Sequence, residues 1–169
     1  MFFAAWPTAG VQEKLHAIAQ QARRECGGRA VAQGNIHLTL AFLGDVPRDR
    51  VHQIESVAAE ISGSRCDIAV DRLQYWKHNR ILWAGVERCP EPLAGLAGKL
   101  SVGLRAIGFK LDDRPYVLHV TLLRNARCAP AERSIPAVAW PIADVALVES
   151  LQRGDGRVYE VLRRWPLGG

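Results

Sequence analysis

An α+β fold is predicted by three features of the 169-residue sequence. Stretches of helical spacing alternate with β-rich runs, and two pairs of those runs sit close enough to form hairpins. The resulting order is strand, helix, strand, helix, hairpin, helix, strand, hairpin, which is not a regular βαβ alternation. A short pattern is also written twice, His37-Leu38-Thr39-Leu40 and His119-Val120-Thr121-Leu122, each time inside a run that reads as a strand.

The elements follow in order. Met1 to Trp6 is apolar but lacks a basic leader, and Pro7 cuts it short, so it reads as a buried first strand rather than a signal peptide or membrane span. Thr8 can cap a helix whose apolar positions Val11, Leu15, Ile18, Ala19 and Ala22 recur at helical spacing, and Gly27-Gly28 ends it. Asn35 to Leu43 is the first motif strand, closed by Gly44-Asp45. Pro47 fits the opening turn of a second helix carrying Val51, Ile54, Val57, Ala58 and Ile61 on one side. Cys66 to Trp76 and Arg80 to Glu87 form a hairpin across His78-Asn79. A helix from Glu91 to Ile107 follows Pro90, weakened by three glycines. Gly108 to Pro115 is a loop, Tyr116 to Leu123 the second motif strand, and Cys128 to Pro136 a connection. Val145 to Gln152 and Arg157 to Arg164 pair around Gly154-Asp155-Gly156.

Composition narrows the function classes. With 49% hydrophobic and 23% charged residues the chain is an ordinary globular protein, not a disordered one. No linker or charge run divides it, so residues 1–169 read as a single domain. The formal charge of +5 favours an anionic partner such as nucleic acid or a nucleotide, or else marks a merely basic surface. Cys26, Cys66, Cys89 and Cys128 show no C-x-x-C pair or zinc spacing, and they read as free thiols of a cytoplasmic protein.

The doubled motif carries the chemistry. The chain holds three threonines, so finding two of its five histidines with a threonine two places on has odds on the order of 0.003. Side chains alternate along a strand, which puts His37 with Thr39 and His119 with Thr121 on one face, and the aliphatic residues between them on the other. With the aliphatic faces in a core, two imidazoles and two hydroxyls would line one polar cleft. Histidine is the side chain whose ordinary pKa suits proton transfer near neutrality, so one ring can take a proton from water while the other gives one to a leaving oxygen. No nearby carboxylate or thiolate completes a metal site, and no metal or other cofactor is expected. His16, His52 and His78 fall on helices and in a turn and read as structural. Trp76, Trp83, Phe42 and Tyr116 could stack a base of single-stranded RNA. Phe42, however, shares core parity with Leu38 and Leu40, and core packing is the expectation for the tryptophans.

On these residues the chain resembles the 2H phosphoesterase superfamily, and within it the bacterial and archaeal RNA 2',3'-cyclic phosphodiesterases, also called 2'-5' RNA ligases. The likeness runs from Met1–Pro7 through Ile36–Val46 and Arg114–Arg124 to the tail containing Glu149-Ser150-Leu151, Tyr159 and Trp165. Leu118 stands where the family usually has proline, and Leu123 replaces a common alanine. The resemblance implies a bilobal fold, two pseudo-symmetric antiparallel sheets lining a central cleft with helices outside. It also implies a metal-free, monomeric hydrolase that opens terminal 2',3'-cyclic phosphates on RNA, tRNA fragments among the candidates, to 2'-phosphomonoesters, with 2'-5' ligation as the reverse. His37 would be the general acid, His119 the general base, and Thr39 and Thr121 the donors to phosphate oxygens. Arg124 matches a phosphate-gripping arginine of the family, yet it lies five residues from His119 and should face the other side of a regular strand, unless a bulge near Leu123 turns it round. An RNA-binding module that holds ends without turnover, and a phosphodiesterase of small cyclic nucleotides, remain the alternatives.

Overall fold

The computed structural model describes residues 1–154 and 156–168. Its strands are β1 (Phe2–Ala5), β2 (Arg29–Ala30), β3 (Leu38–Phe42), β4 (Cys66–Trp76), β5 (Ile81–Gly85), β6 (Val120–Arg124), β7 (Ser134–Ile142), β8 (Asp144–Arg153) and β9 (Gly156–Pro166); its α-helices are α1 (Ala9–Cys26), α2 (Val51–Glu60) and α3 (Glu91–Ala106). They build two antiparallel sheets, one in the order β3-β1-β8-β9 and one in the order β2-β6-β5-β4-β7.

The helices cross over between the sheets. α1 follows β1 of the four-stranded sheet but packs on β6 and β7 of the other, while α3 leaves β5 of the five-stranded sheet and packs on β3 and α2. Each buries one stripe, Val11, Leu15, Ala19 and Ala22 in α1 and Leu93, Leu96, Leu100 and Leu104 in α3. The leucine stripe outweighs the glycines of α3, because Gly95 and Gly98 meet nothing on the outer side. Thr8 stands at the N-cap of α1 without a side-chain capping bond, and Gly27, at φ 64°, ends the helix. No helix among the described residues is long and apolar enough to cross a membrane.

Two expectations change. Cys128 to Pro136 is not all connection: β7 begins at Ser134 and pairs with β4, turning Val138, Trp140 and Ile142 inward. Its Pro136 and Pro141 look like strand breakers, but β7 is an edge strand, where a missing ladder donor is tolerated. The motif strands also start later than expected. His37 and His119 each stand one residue before the first residue of the ladder, on an extended approach to it. The final hairpin forms as expected, although Asp155 of its turn lies outside the described residues.

Burial fixes which face of each motif strand looks where. Leu38, Leu40, Val120 and Leu122 are at most 4% exposed in the main core. Turning them outward would cost about 2 kcal/mol each, far more than the polar residues between them could return. A second, smaller cluster of Phe2, Ala4, Ala146 and Val148, with Trp6, Tyr159 and Val161 against it, covers the opposite face of the four-stranded sheet beside His37.

Candidate active site

Both motif strands carry a bulge at the same place. On β3, Ala4 faces Thr39 and Phe3 faces Ala41, so Leu40 is the extra residue; on β6, Trp83 faces Thr121 and Leu82 faces Leu123, so Leu122 is the extra residue. In each motif the supernumerary residue is the one after the threonine. A bulge of one residue inverts the alternation beyond it. Ala41 and Leu123 are therefore buried next to already buried leucines, and the residue five places after each histidine comes round to the histidine's side. Those residues are Phe42 and Arg124. Phe42 is not in the core as its parity predicted: it is 63% exposed, because the bulge reverses the parity at Leu40. Arg124 lines one cavity with His37, Phe42 and Thr121.

The two imidazoles are held alike. His37 Nδ1 lies 2.7 Å from the Asn35 carbonyl oxygen, and His119 Nδ1 lies 2.8 Å from that of Val117, in both cases two residues back along the chain. A carbonyl can only accept, so Nδ1 carries the proton in each ring, and Nε2 is the lone-pair nitrogen of the neutral form. His37 Nε2 is 3.2 Å from the Thr39 hydroxyl. Aromatic rings enclose both: Phe2 and Trp6 stack on His37 at 4.7 and 5.4 Å with Tyr159 edge-on at 5.2 Å, and Trp76 and Trp83 approach His119 at 4.8 and 6.1 Å.

These surroundings disfavour the charged form of both rings. Burial pushes His37 down to about 4, against the bond to Asn35, and the charges of His119 and Arg124 act in the same downward direction. Burial also lowers His119, and the Val117 carbonyl opposes it. Arg124 lines the same cavity as His37 and Thr121, and Phe42 lines both that cavity and the one that holds His119.

Two cavities meet at Phe42. One, of about 670 Å³, is lined by His119 and Thr39 together with Trp76, Tyr116, Lys110 and Arg114; the other, of about 810 Å³, by His37, Thr121, Arg124, Arg29, Arg157 and Tyr159. Each cavity thus takes its histidine from one motif and its threonine from the other. Tyr116, its phenol pushed up by burial, donates to the Thr39 carbonyl oxygen at 3.3 Å and ties the two motifs together. Trp83 is buried and Trp76 half-buried at the cavity wall. His16 bonds the Val31 carbonyl oxygen within the fold, and His78 lies in the β4–β5 turn at the rim of the smaller cavity. Among the described residues no three His, Cys, Asp or Glu side chains gather where they could hold a metal ion.

Several neighbours escape the sequence reading. Phe2 and Trp6 follow from the period of β1, since Phe2, Ala4 and Trp6 share a face and Ala4 sits opposite Thr39. Asn35 leaves no such signal: it orients His37 through its carbonyl, and its Nδ2 donates to the Arg157 carbonyl oxygen at 2.8 Å.

Comparison with known proteins agrees with this geometry. Residues 6–83 match the family model for LigT-like phosphoesterases. The RNA 2',3'-cyclic phosphodiesterase of Escherichia coli K12 is 33% identical over 99% of this chain and 96% of its own length, and that of Archaeoglobus fulgidus is 26% identical over 96% and 97%. The crystal structure of E. coli LigT complexed with 3'-AMP superimposes with a TM-score of 0.90 at 28% identity, covering 99% of this chain and 97% of that one. With a relative of this similarity along its full length, two antiparallel sheets of the same kind and the doubled His-x-Thr motif at their junction, the chain belongs to the LigT-like phosphoesterase family of the 2H superfamily.

Proposed function

We propose that the protein hydrolyses the 2',3'-cyclic phosphate at the end of an RNA to a 2'-phosphomonoester by acid-base catalysis between His37 and His119. The carrying observation is the matched pair of imidazoles, each fixed through Nδ1 to a carbonyl two residues back so that Nε2 is the nitrogen for proton transfer. His119 Nε2 takes a proton from water as its oxygen attacks phosphorus; the bond from phosphorus to O3' breaks, and His37 Nε2–H delivers a proton to O3'. With the 5'-hydroxyl of a second RNA in place of water, the same exchange forms a 2'-5' bond.

The lowered pKa of His37 gives the substrate a part in this. His37 acts as an acid only as imidazolium, which burial, Arg124 and His119 all disfavour. The negative charge of a bound phosphodiester opposes them and raises the proton occupancy of the ring. Once Nε2 is protonated it no longer accepts from the Thr39 hydroxyl, whose proton is free to turn toward a phosphate oxygen. Thr39 and Thr121 then serve as donors where charge builds in the transition state, with Arg124 as a charged partner of the same phosphate. We take the working unit to be a single-domain monomer.

The test is turnover of a cyclic-phosphate-ended RNA in EDTA, with the position of the product phosphate determined. His37→Ala and His119→Ala should each lose roughly 10²–10⁴-fold in rate while remaining folded. Near-normal turnover by either variant removes that histidine from the mechanism. Tight RNA binding without turnover by the unmodified protein would instead favour an end-holding module.

A further inference from the structure

Positive charge is divided unequally between the cavities that meet at Phe42. On the His119 side, Arg114 is held by Asp112 through Nε and Nη2, and Asp112 itself lines the cavity. On the His37 side, Arg29, Arg124 and Arg157 line a cavity of about 810 Å³ to which, among the described residues, no carboxylate contributes. None of the three forms an ion pair with a described residue.

The placement of these arginines is costly unless an anion rewards it. Arg29 on β2 stands directly opposite Arg124 on β6, and like charges directly opposite on neighbouring strands are unfavourable. The preceding residue, Gly28, permits the approach: at φ 82°, a Cβ on it would lie 2.7 Å from the Arg124 carbonyl oxygen. Arg157 comes from the other sheet. Its carbonyl is fastened by the Asn35 side chain, and the Asn35 carbonyl orients His37, so the position of the Arg157 backbone relative to the proton donor is set through one residue.

A single cyclic phosphate does not need three guanidinium groups. On the proposed mechanism the ribose whose O3' is protonated lies on the His37 side, so the strand leading to that ribose has to leave through this cavity. We infer that the His37-side cavity is an RNA-strand subsite in which Arg29 and Arg157 bind phosphodiesters upstream of the reacting end, making a strand a better substrate than a mononucleotide. The volume is within the range of sites that enclose molecules of nucleotide size and larger. The assignment of the strand to this side rests on the proposed roles of the two histidines.

The experiment measures binding of a labelled short single-stranded RNA by fluorescence anisotropy across a salt series, beside inhibition by a nucleoside 2'-monophosphate. Arg29→Ala and Arg157→Ala should each weaken RNA binding about tenfold at low salt. Each should also reduce the steepness of log Kd against log salt by about 0.7, the share of one phosphate on a single strand. The mononucleotide should lose clearly less. Arg29→Lys and Arg157→Lys, which keep the charge, should retain the slope. Arg164→Ala removes the same charge from a guanidinium that already pairs with Asp144, and it should leave RNA binding unchanged. Equal losses for RNA and mononucleotide, an unmoved slope, or an equal effect of Arg164→Ala would overturn the subsite. If RNA binding responds as expected while cyclic-phosphate turnover is absent, the subsite stands and the catalytic reading fails.

Discussion

Replacing His37 with asparagine should remove much of the protein's acid sensitivity. The ring titrates at about 4 in the folded protein and starts from 6.5 when unexposed to the fold. Between those values the unfolded chain binds a proton that the folded protein does not, so stability rises with pH across that window and is level above it. Working the linkage for one group gives a loss of about 2 kcal/mol on going from pH 7.5 to pH 5, and about 3 kcal/mol once the folded ring is also protonated. His119, lowered by its own burial, adds a loss of the same sign. Against a total stability of about 5–15 kcal/mol the change is large enough to read in urea denaturation followed by tryptophan fluorescence. The unmodified protein should lose stability steadily below pH 6.5, and His37→Asn should be flatter by about 2 kcal/mol at pH 5. A saturating nucleoside 2'-monophosphate should also flatten the wild-type curve, because the bound anion raises the pKa of the ring. A His37→Asn profile parallel to that of the wild type would refute the account of His37 as a buried, neutral imidazole.

Two further outcomes test other parts of the site. Thr39→Val and Thr121→Val keep the side-chain shape and delete the donor, so each should lower kcat by up to roughly 10²–10³-fold, less than the histidine variants; steady-state kinetics unchanged in both would leave the threonines to strand propensity alone. Gly28→Ala forces a Cβ against the Arg124 carbonyl oxygen at a positive φ and should cost about 2 kcal/mol or more in thermal or urea unfolding, and an alanine variant of normal stability would show that β2 can stand farther from β6.

The sequence reveals the site better than it reveals the shape that makes the site. Period-two alternation is strong around Leu38, Leu40, Val120 and Leu122, so the faces of His37, Thr39, His119 and Thr121 follow from it. Beyond the threonines the same reasoning fails, since a bulge inserts one residue without any Gly or Pro to announce it. Regular alternation therefore puts Phe42 in the core and turns Arg124 away unless the strand is irregular; the extra residue at Leu40 and at Leu122 accounts for both positions. β7 was hidden for a different reason: Pro136 and Pro141 signal interruption, while whether an edge position forgives them depends on a partner strand more than 60 residues away. Asn35 and Arg157 are related only through a hydrogen bond across the fold, with no local pattern to expose it.

The matching bulges have a consequence for how the cleft treats the two ends of what lies in it. Up to the threonines the halves repeat the same parts: a histidine, a hydroxyl, and a carbonyl two residues back that takes the Nδ1 proton. Within that set it is the Thr39 hydroxyl, 3.2 Å from His37 Nε2, that tells the two sides apart. The side chains that each bulge turns to the histidine's side differ in kind, a phenyl ring at Phe42 and a guanidinium at Arg124. The cavities beyond extend that difference, with Arg29 and Arg157 on one side and the paired Asp112 and Arg114 on the other. Exchanging the identities of Phe42 and Arg124 would take the guanidinium from the place where it disfavours the charged form of His37, and it is the smallest change that shifts the division of charge between the two rings while leaving both histidines in place.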